Sequence, residues 1–148
     1  ATLNNVTIHL TIGTSIFTSG GTVNVGNTII SSASGQAACG GSGGTAVSNG
    51  YNLATDQTCT FLSTSAGDKQ GISPDLNAIT SPANGAAYHI PKLTSPVIDA
   101  GNPATPGSGG TACLTSDQRG LARPQNTHCD IGAGEILVYR VYVPLVLK

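Results

Sequence analysis

Apolar positions along this chain follow no sustained helical period; they come in short β-branched runs separated by small and polar residues. Three runs recur in register: Leu3-Asn4-Asn5-Val6-Thr7-Ile8, Val25-Gly26-Asn27-Thr28-Ile29-Ile30 and Val47-Ser48-Asn49-Gly50-Tyr51-Asn52, each displaced by 22 residues from the last. Val, Ile and Thr favour extended backbone, while Gly and Asn accept the left-handed backbone of a corner. A recurrence in the range of roughly 20 to 30 residues is the signature of a solenoid, in which each turn buries its inward side chains against its neighbours. The pattern therefore predicts an all-β fold, a short right-handed parallel β-helix with coils of about 22 residues. Asn5, Asn27 and Asn49 are expected to stack as a ladder of side-chain amides at the strand spacing of about 4.8 Å.

The periodicity then fades. Residues 34–44 are nearly all small and read as a loop, and between residues 67 and 110 the pairs Ser73-Pro74, Ser81-Pro82, Ile90-Pro91, Ser95-Pro96 and Asn102-Pro103 interrupt any ladder. This half is expected to wrap or cap the coils irregularly without continuing them, with short strands at 88–90 and 97–98. Residues 136–147 are the most β-prone stretch, apolar on both alternating faces. They predict a C-terminal hydrophobic strand that wants cover on both sides. The expected organisation is one domain over 1–135, followed by a segment over 136–148 that serves assembly or anchoring. Arg140 and Pro144 make that segment too polar, too short and too broken to span a membrane.

Charge narrows the function classes. Only 9% of the 148 residues are charged and the formal net charge is -1, so the chain cannot neutralise a run of phosphates and nucleic acid is excluded as a partner. The four cysteines fall into two local pairs, Cys39 with Cys59 and Cys113 with Cys129, without the CxxC spacing of zinc or redox sites. Disulfides closing such loops stabilise a fold by roughly 3 kcal/mol each in the chain-entropy model. They imply an oxidising, secreted or cell-surface location, and a chain starting at Ala1 without a leader reads as an already processed product.

Several ordered motifs then carry a resemblance. Asn27-Thr28-Ile29-Ile30, Ser48-Asn49-Gly50-Tyr51-Asn52-Leu53 ahead of Cys59, Ser95-Pro96-Val97-Ile98-Asp99-Ala100-Gly101, Asp117-Gln118-Arg119-Gly120 with Arg123-Pro124, and Cys129-Asp130-Ile131-Gly132-Ala133 with Glu135 span residues 23–135. Together they resemble the C-terminal region of right-handed parallel β-helix surface proteins of bacteria, the choice-of-anchor type. The resemblance implies an exported repetitive stalk or adhesin. The chain departs from that pattern in having only two or three coils and in ending on a hydrophobic strand without a sorting motif. Pectin lyases share the architecture, so fold alone does not decide between structure and catalysis.

Asp99, Asp117, Asp130 and Glu135, with Arg119 and Arg123, are the candidate chemistry, because glycan-cleaving enzymes work with facing carboxylates and lyases with carboxylates and a base. Their crowding around the second cysteine pair points instead to Arg–carboxylate pairs that lock an irregular cap. His9, His89 and His128 are scattered and lack metal-box spacing, and neither a cofactor motif nor a nucleophile motif is present. Six aromatic residues are too few and too dispersed to mark a sugar platform. The expected function is a non-enzymatic extracellular structural module, a self-assembling filament subunit or adhesin fragment, with no cofactor and no metal. Its expected partner is itself, with a glycan or cell-surface molecule as a further partner; the alternative is a carbohydrate-binding or carbohydrate-cleaving β-helix domain. Ile136, Val138, Tyr139, Val141, Tyr142, Val143, Leu145 and Leu147 are the candidate assembly strand, which would add to a neighbour's sheet.

Overall fold

Strands form where the β-branched runs recur. In the computed structural model, which describes residues 1–63 and 65–137, β1 (Thr2–Asn4), β2 (Thr7–Leu10) and β3 (Ile16–Thr18) are followed by β4 (Thr22–Gly26), β5 (Ile29–Ser32) and β6 (Cys39–Gly41). Then come β7 (Thr45–Ser48), β8 (Leu53–Ala54), a single 3-10 turn (Thr60–Leu62) and β9 (Lys69–Gln70). The described fold is all-β. Its strands form three sheets, ordered β1-β4-β7, β2-β5-β8-β9 and β3-β6, and every ladder is parallel. From β1 to β8 the chain visits the sheets in rotation, each visit beside the previous one; β9 then returns to the second sheet directly after the 3-10 turn.

The spacing of returns drifts. Thr2 lies opposite Asn24 and Thr7 opposite Ile29, 22 residues on, but Thr22 pairs with Thr45 and Ile29 with Leu53. The drift displaces Asn49 from the expected stack. The Asn5 N–H donates to Gly26 O and the Asn27 N–H to Gly50 O, so the residue facing Asn27 is Tyr51. Asn5, Asn27 and Tyr51 are the three corner residues with left-handed backbone, at φ 53°, 49° and 59°. Gly50, at φ 90°, is the extra residue in the third corner, and a Cβ there would meet Ala66 O at 2.7 Å. Only glycine fits this insertion, because L side chains avoid that conformation and the carbonyl leaves no room.

Alternation along β5 explains two apolar clusters. Ile30 points between the sheets with Ile16, Val25, Ala38, Ala54 and Leu62, whereas Ile29 points outward with Leu53 against Val97 and Ile131. The second sheet is therefore buried on both faces, which is why Thr28-Ile29-Ile30-Ser31 reads as a continuous run. Val97 and Ile131 belong to the irregular half, which wraps along the flank of the coils. Its backbone is tied there by Gly132 N–H to Asn27 O, 2.8 Å, and Ala133 N–H to Thr7 Oγ1, 2.9 Å. Proline and glycine breaks leave this half with turns and isolated antiparallel bridges, Leu76 opposite Pro91, Thr80 opposite Tyr88 and Ser116 opposite Ala122. The strand expected at 88–90 is reduced to such a bridge, and 97–98 lie in a turn.

Cys39 is bonded to Cys59 and Cys113 to Cys129. The first link joins β6 to the 3-10 turn of the next coil, where a third strand of the β3-β6 sheet is missing. Side chains replace its ladder: Asp56 Oδ2 accepts the Ala38 N–H and Thr58 Oγ1 the Cys39 N–H, both at 2.9 Å. The second link is buried under Gly101, whose added Cβ would lie 2.4 Å from Cys129 Sγ and 2.7 Å from Cys129 O. Gly101→Ala is expected to lower stability by about 1–3 kcal/mol through forced displacement of the flank. Chemical denaturation checks it, and an unchanged midpoint would show that the disulfide can shift freely.

Candidate functional site

The candidate carboxylates and arginines converge on the flank. The Arg123 side chain is fully buried; its Nη1 donates to Glu135 Oε2 at 2.6 Å and to Asp130 O at 3.0 Å, and its Nη2 donates to Gly132 O at 2.8 Å. Glu135 also accepts the N–H groups of Gln125 and Asp130. Arg119 sets Nε and Nη2 on one oxygen of Asp117, at 2.9 and 2.7 Å, reaches Glu135 O, and lies 5.6 Å from the centre of the Tyr88 ring. Asp117 further accepts the N–H groups of Arg119, Leu121 and Glu135. Asp99 binds Asn126, Thr127 and His128 through its carboxylate and donates its own N–H to Asp130. All six residues singled out by the sequence thus belong to one connected region.

Electrostatics follow burial and donor count. Burial alone would raise Asp117, yet four converging donors, with the Glu135 N–H foremost, hold it below the usual carboxylate range. Asp130 goes the other way: burial, reinforced by the Glu135 carboxylate, pushes it up to about 7 despite the Asp99 and Ile136 N–H donors. Burial lowers Arg123 against the raising effect of Glu135. A glycosidic pair must face a bond and a water molecule. Here the side chains of Asp117, Arg123 and Glu135 are 0–1% exposed, and their oxygens are spent on backbone N–H groups and guanidinium. Such an arrangement of Asp117, Arg123 and Glu135 orders the chain around it.

The corner asparagines do not bond to one another. Asn5 Oδ1 accepts the Leu114 N–H, and Asn27 Oδ1 accepts the Asn102 N–H, both at 2.8 Å. Asn27 Nδ2 donates to Asn4 Oδ1 and Thr111 O. Their amides therefore stitch the disulfide-bearing flank to the first two coils, a role invisible in the repeat because the partners lie 75 to 109 residues away. Asn49 takes no part in this seam.

A polar groove of about 450 Å³ opens where the excursion through residues 73–92 crosses the outer edge of β2 and β5; His9, Ser31, Asp75, Asn77, His89 and Lys92 line it. Lys92 Nζ lies 2.7 Å from Asp75, which also accepts from Thr94; the Lys92 bond is the chief cause that holds Asp75 below its usual range. His9 Nδ1 is 2.9 Å from Ser31 Oγ, its neighbour one coil on, and His89 Nδ1 is 2.9 Å from Asn77 O. Burial and then His89 lower His9. In the sequence these histidines are scattered. The one available signal was that His9 and Ser31 stand 22 residues apart, at the repeat spacing. Among the described residues no group of three or more His, Cys, Asp or Glu side chains is placed to hold a metal ion.

At the first coil, β1, β2 and β3 each pair on one side only among the described residues. The apolar side chains there, Leu3, Ile8, Phe17 and Val23, line a concavity of about 490 Å³, and Phe17 is 60% exposed. Ala133 of the flank donates its N–H to Thr7 of β2. Ile136 is buried, donates its N–H to Asp130 at 2.7 Å and is not in a strand; Leu137 is exposed. Val138, Tyr139, Val141, Tyr142, Val143, Leu145 and Leu147 lie outside the described residues. No described helix is long and apolar enough to cross a membrane. Comparison with protein-family profiles, with curated proteins and with solved structures found no match. The two disulfides point to an oxidising environment.

Proposed function

We propose that the chain is an extracellular structural module of a bacterial surface, a short right-handed parallel β-helix whose copies join end to end, and not an enzyme. The observation that supports this reading is the set of parallel ladders, with β1, β2 and β3 each paired on one side only among the described residues, beside an apolar concavity. Unpaired N–H and C=O groups beside exposed apolar surface form a template for a further strand. The sequence supplies one in residues 138–147, with apolar residues on both alternating faces. A contact of this head-to-tail kind propagates into a filament unless its rotation happens to close a ring. The carbohydrate-cleaving alternative loses support because the paired carboxylates are buried and saturated. The bacterial surface rests on the motif resemblance, and export rests on the disulfides.

Deletion of residues 138–148 tests the reading. The expected result is a folded, fully disulfide-bonded monomer in sedimentation, while the intact chain sediments as a concentration-dependent series. Assembly unaffected by the deletion would reject strand donation, and a strictly monomeric intact chain would reject end-to-end joining altogether.

A further inference from the structure

The folded chain brings together two histidines that are 80 positions apart in sequence, their rings in an edge-to-face contact. The imidazole rings of His9 and His89 have centroids 4.9 Å apart and planes at 70°. A ligating nitrogen lies about 2.0–2.1 Å from zinc, which puts the ring centroid at about 3.2 Å, so two imidazoles at angles of roughly 90–110° have centroids about 4.5–5.2 Å apart. The observed separation falls inside that window.

The hydrogen bonds of the rings add an independent indication. His89 Nδ1 faces the carbonyl of Asn77, which can only accept, so the proton sits on Nδ1 and Nε2 carries the lone pair. An imidazole that donates one N–H to a backbone carbonyl is the usual outer support of a metal-bound histidine, because the bond fixes the tautomer and the ring orientation. His9 has its Nδ1 on Ser31 Oγ, an atom able to accept, which permits the same tautomer. Both rings line the polar groove, where Ser31 and Ser32 hydroxyls stand beside space for water.

We propose that His9 and His89 form a two-imidazole site for a borderline divalent transition ion, Zn(II) or Cu(II), with water filling the remaining positions. The ion clamps β2 to the excursion through residues 73–92. Two protein ligands give a weak site, with affinity in the micromolar range, which an extracellular ion can enter and leave. Carboxylates are not its ligands: Asp75, the one carboxylate of the groove, is held by Lys92 and Thr94.

Untagged intact protein is titrated with ZnCl₂ and, separately, CuCl₂ by calorimetry at pH 7.5, with the imidazole C–H signals followed by NMR. The expected result is one ion per chain, signals of His9 and His89 moving together, and binding at least tenfold weaker in His9→Gln and in His89→Gln. His9 is exposed and His89 half-buried, so both variants should fold, and near-native amide spectra verify it. His128→Gln, whose side chain lies outside the groove, should bind as the parent does. Equal affinity in the His9→Gln/His89→Gln double variant, or no binding by the parent at millimolar metal, would overturn the site.

Discussion

Arg123→Met should lower the free energy of unfolding by about 3–5 kcal/mol, the largest effect of any single substitution in the flank. Removing this guanidinium strands the Glu135 carboxylate, which is 1% exposed, and leaves Asp130 O and Gly132 O without their donors. A buried charge deprived of its partner is far worse than a neutral pair of the same shape. Arg123→Met combined with Glu135→Gln should therefore recover part of the loss. Arg119→Ala should matter less, about 1 kcal/mol, because Arg119 is a quarter exposed and water can take its place on Asp117. Denaturant unfolding of the four proteins measures this. A loss below about 1 kcal/mol for Arg123→Met would mean that the flank is not held by the ion pair.

The second large effect is a fall in stability as pH rises. Asp130 has its folded pKa pushed up to about 7 against an ordinary value of 3.8, so between those values the folded chain keeps a proton that the unfolded chain has released. Its contribution is fully present below about pH 4 and is lost as pH climbs through 7, on the order of 3 kcal/mol. Asp117 and Asp56 are lowered and act oppositely: their contribution is present above about pH 4 and lost in stronger acid. The two trends predict greatest stability near pH 5 and a melting temperature roughly 5–10 °C lower at pH 8. Asp130→Asn should flatten the slope between pH 5 and 8, whatever it does to absolute stability. A parent protein whose melting temperature rises over that interval would contradict the assignment.

The parallel all-β character was legible because β-branched runs recur at a nearly constant spacing, and the spacing itself places Thr2 beside Asn24 and Thr7 beside Ile29. The cysteine pairings were legible from proximity in the chain. The corner stack was only half legible: one residue is gained before β7, where Thr22 already pairs with Thr45, and Gly50 adds a second, so Tyr51 takes the left-handed position that a fixed period assigns to Asn49. An insertion at a corner leaves both flanking strands unchanged, so periodicity cannot register it. The position of the irregular half along the flank depends on Val97 and Ile131 meeting Ile29 and Leu53. Nothing in the local pattern of the flank specifies that long-range match. The charged residues could be read as a cluster, whereas the meeting of His9 with His89 depends on the path of the whole excursion between residues 73 and 92.

Electron microscopy and fibre diffraction of the intact, disulfide-bonded chain at high concentration bear most directly on the central claim that the coils continue from copy to copy. The account predicts unbranched filaments with a meridional reflection at about 4.8 Å, the spacing of strands stacked along the filament axis. Dispersed particles of single-chain size at every concentration, or filaments without that axial reflection, would contradict it.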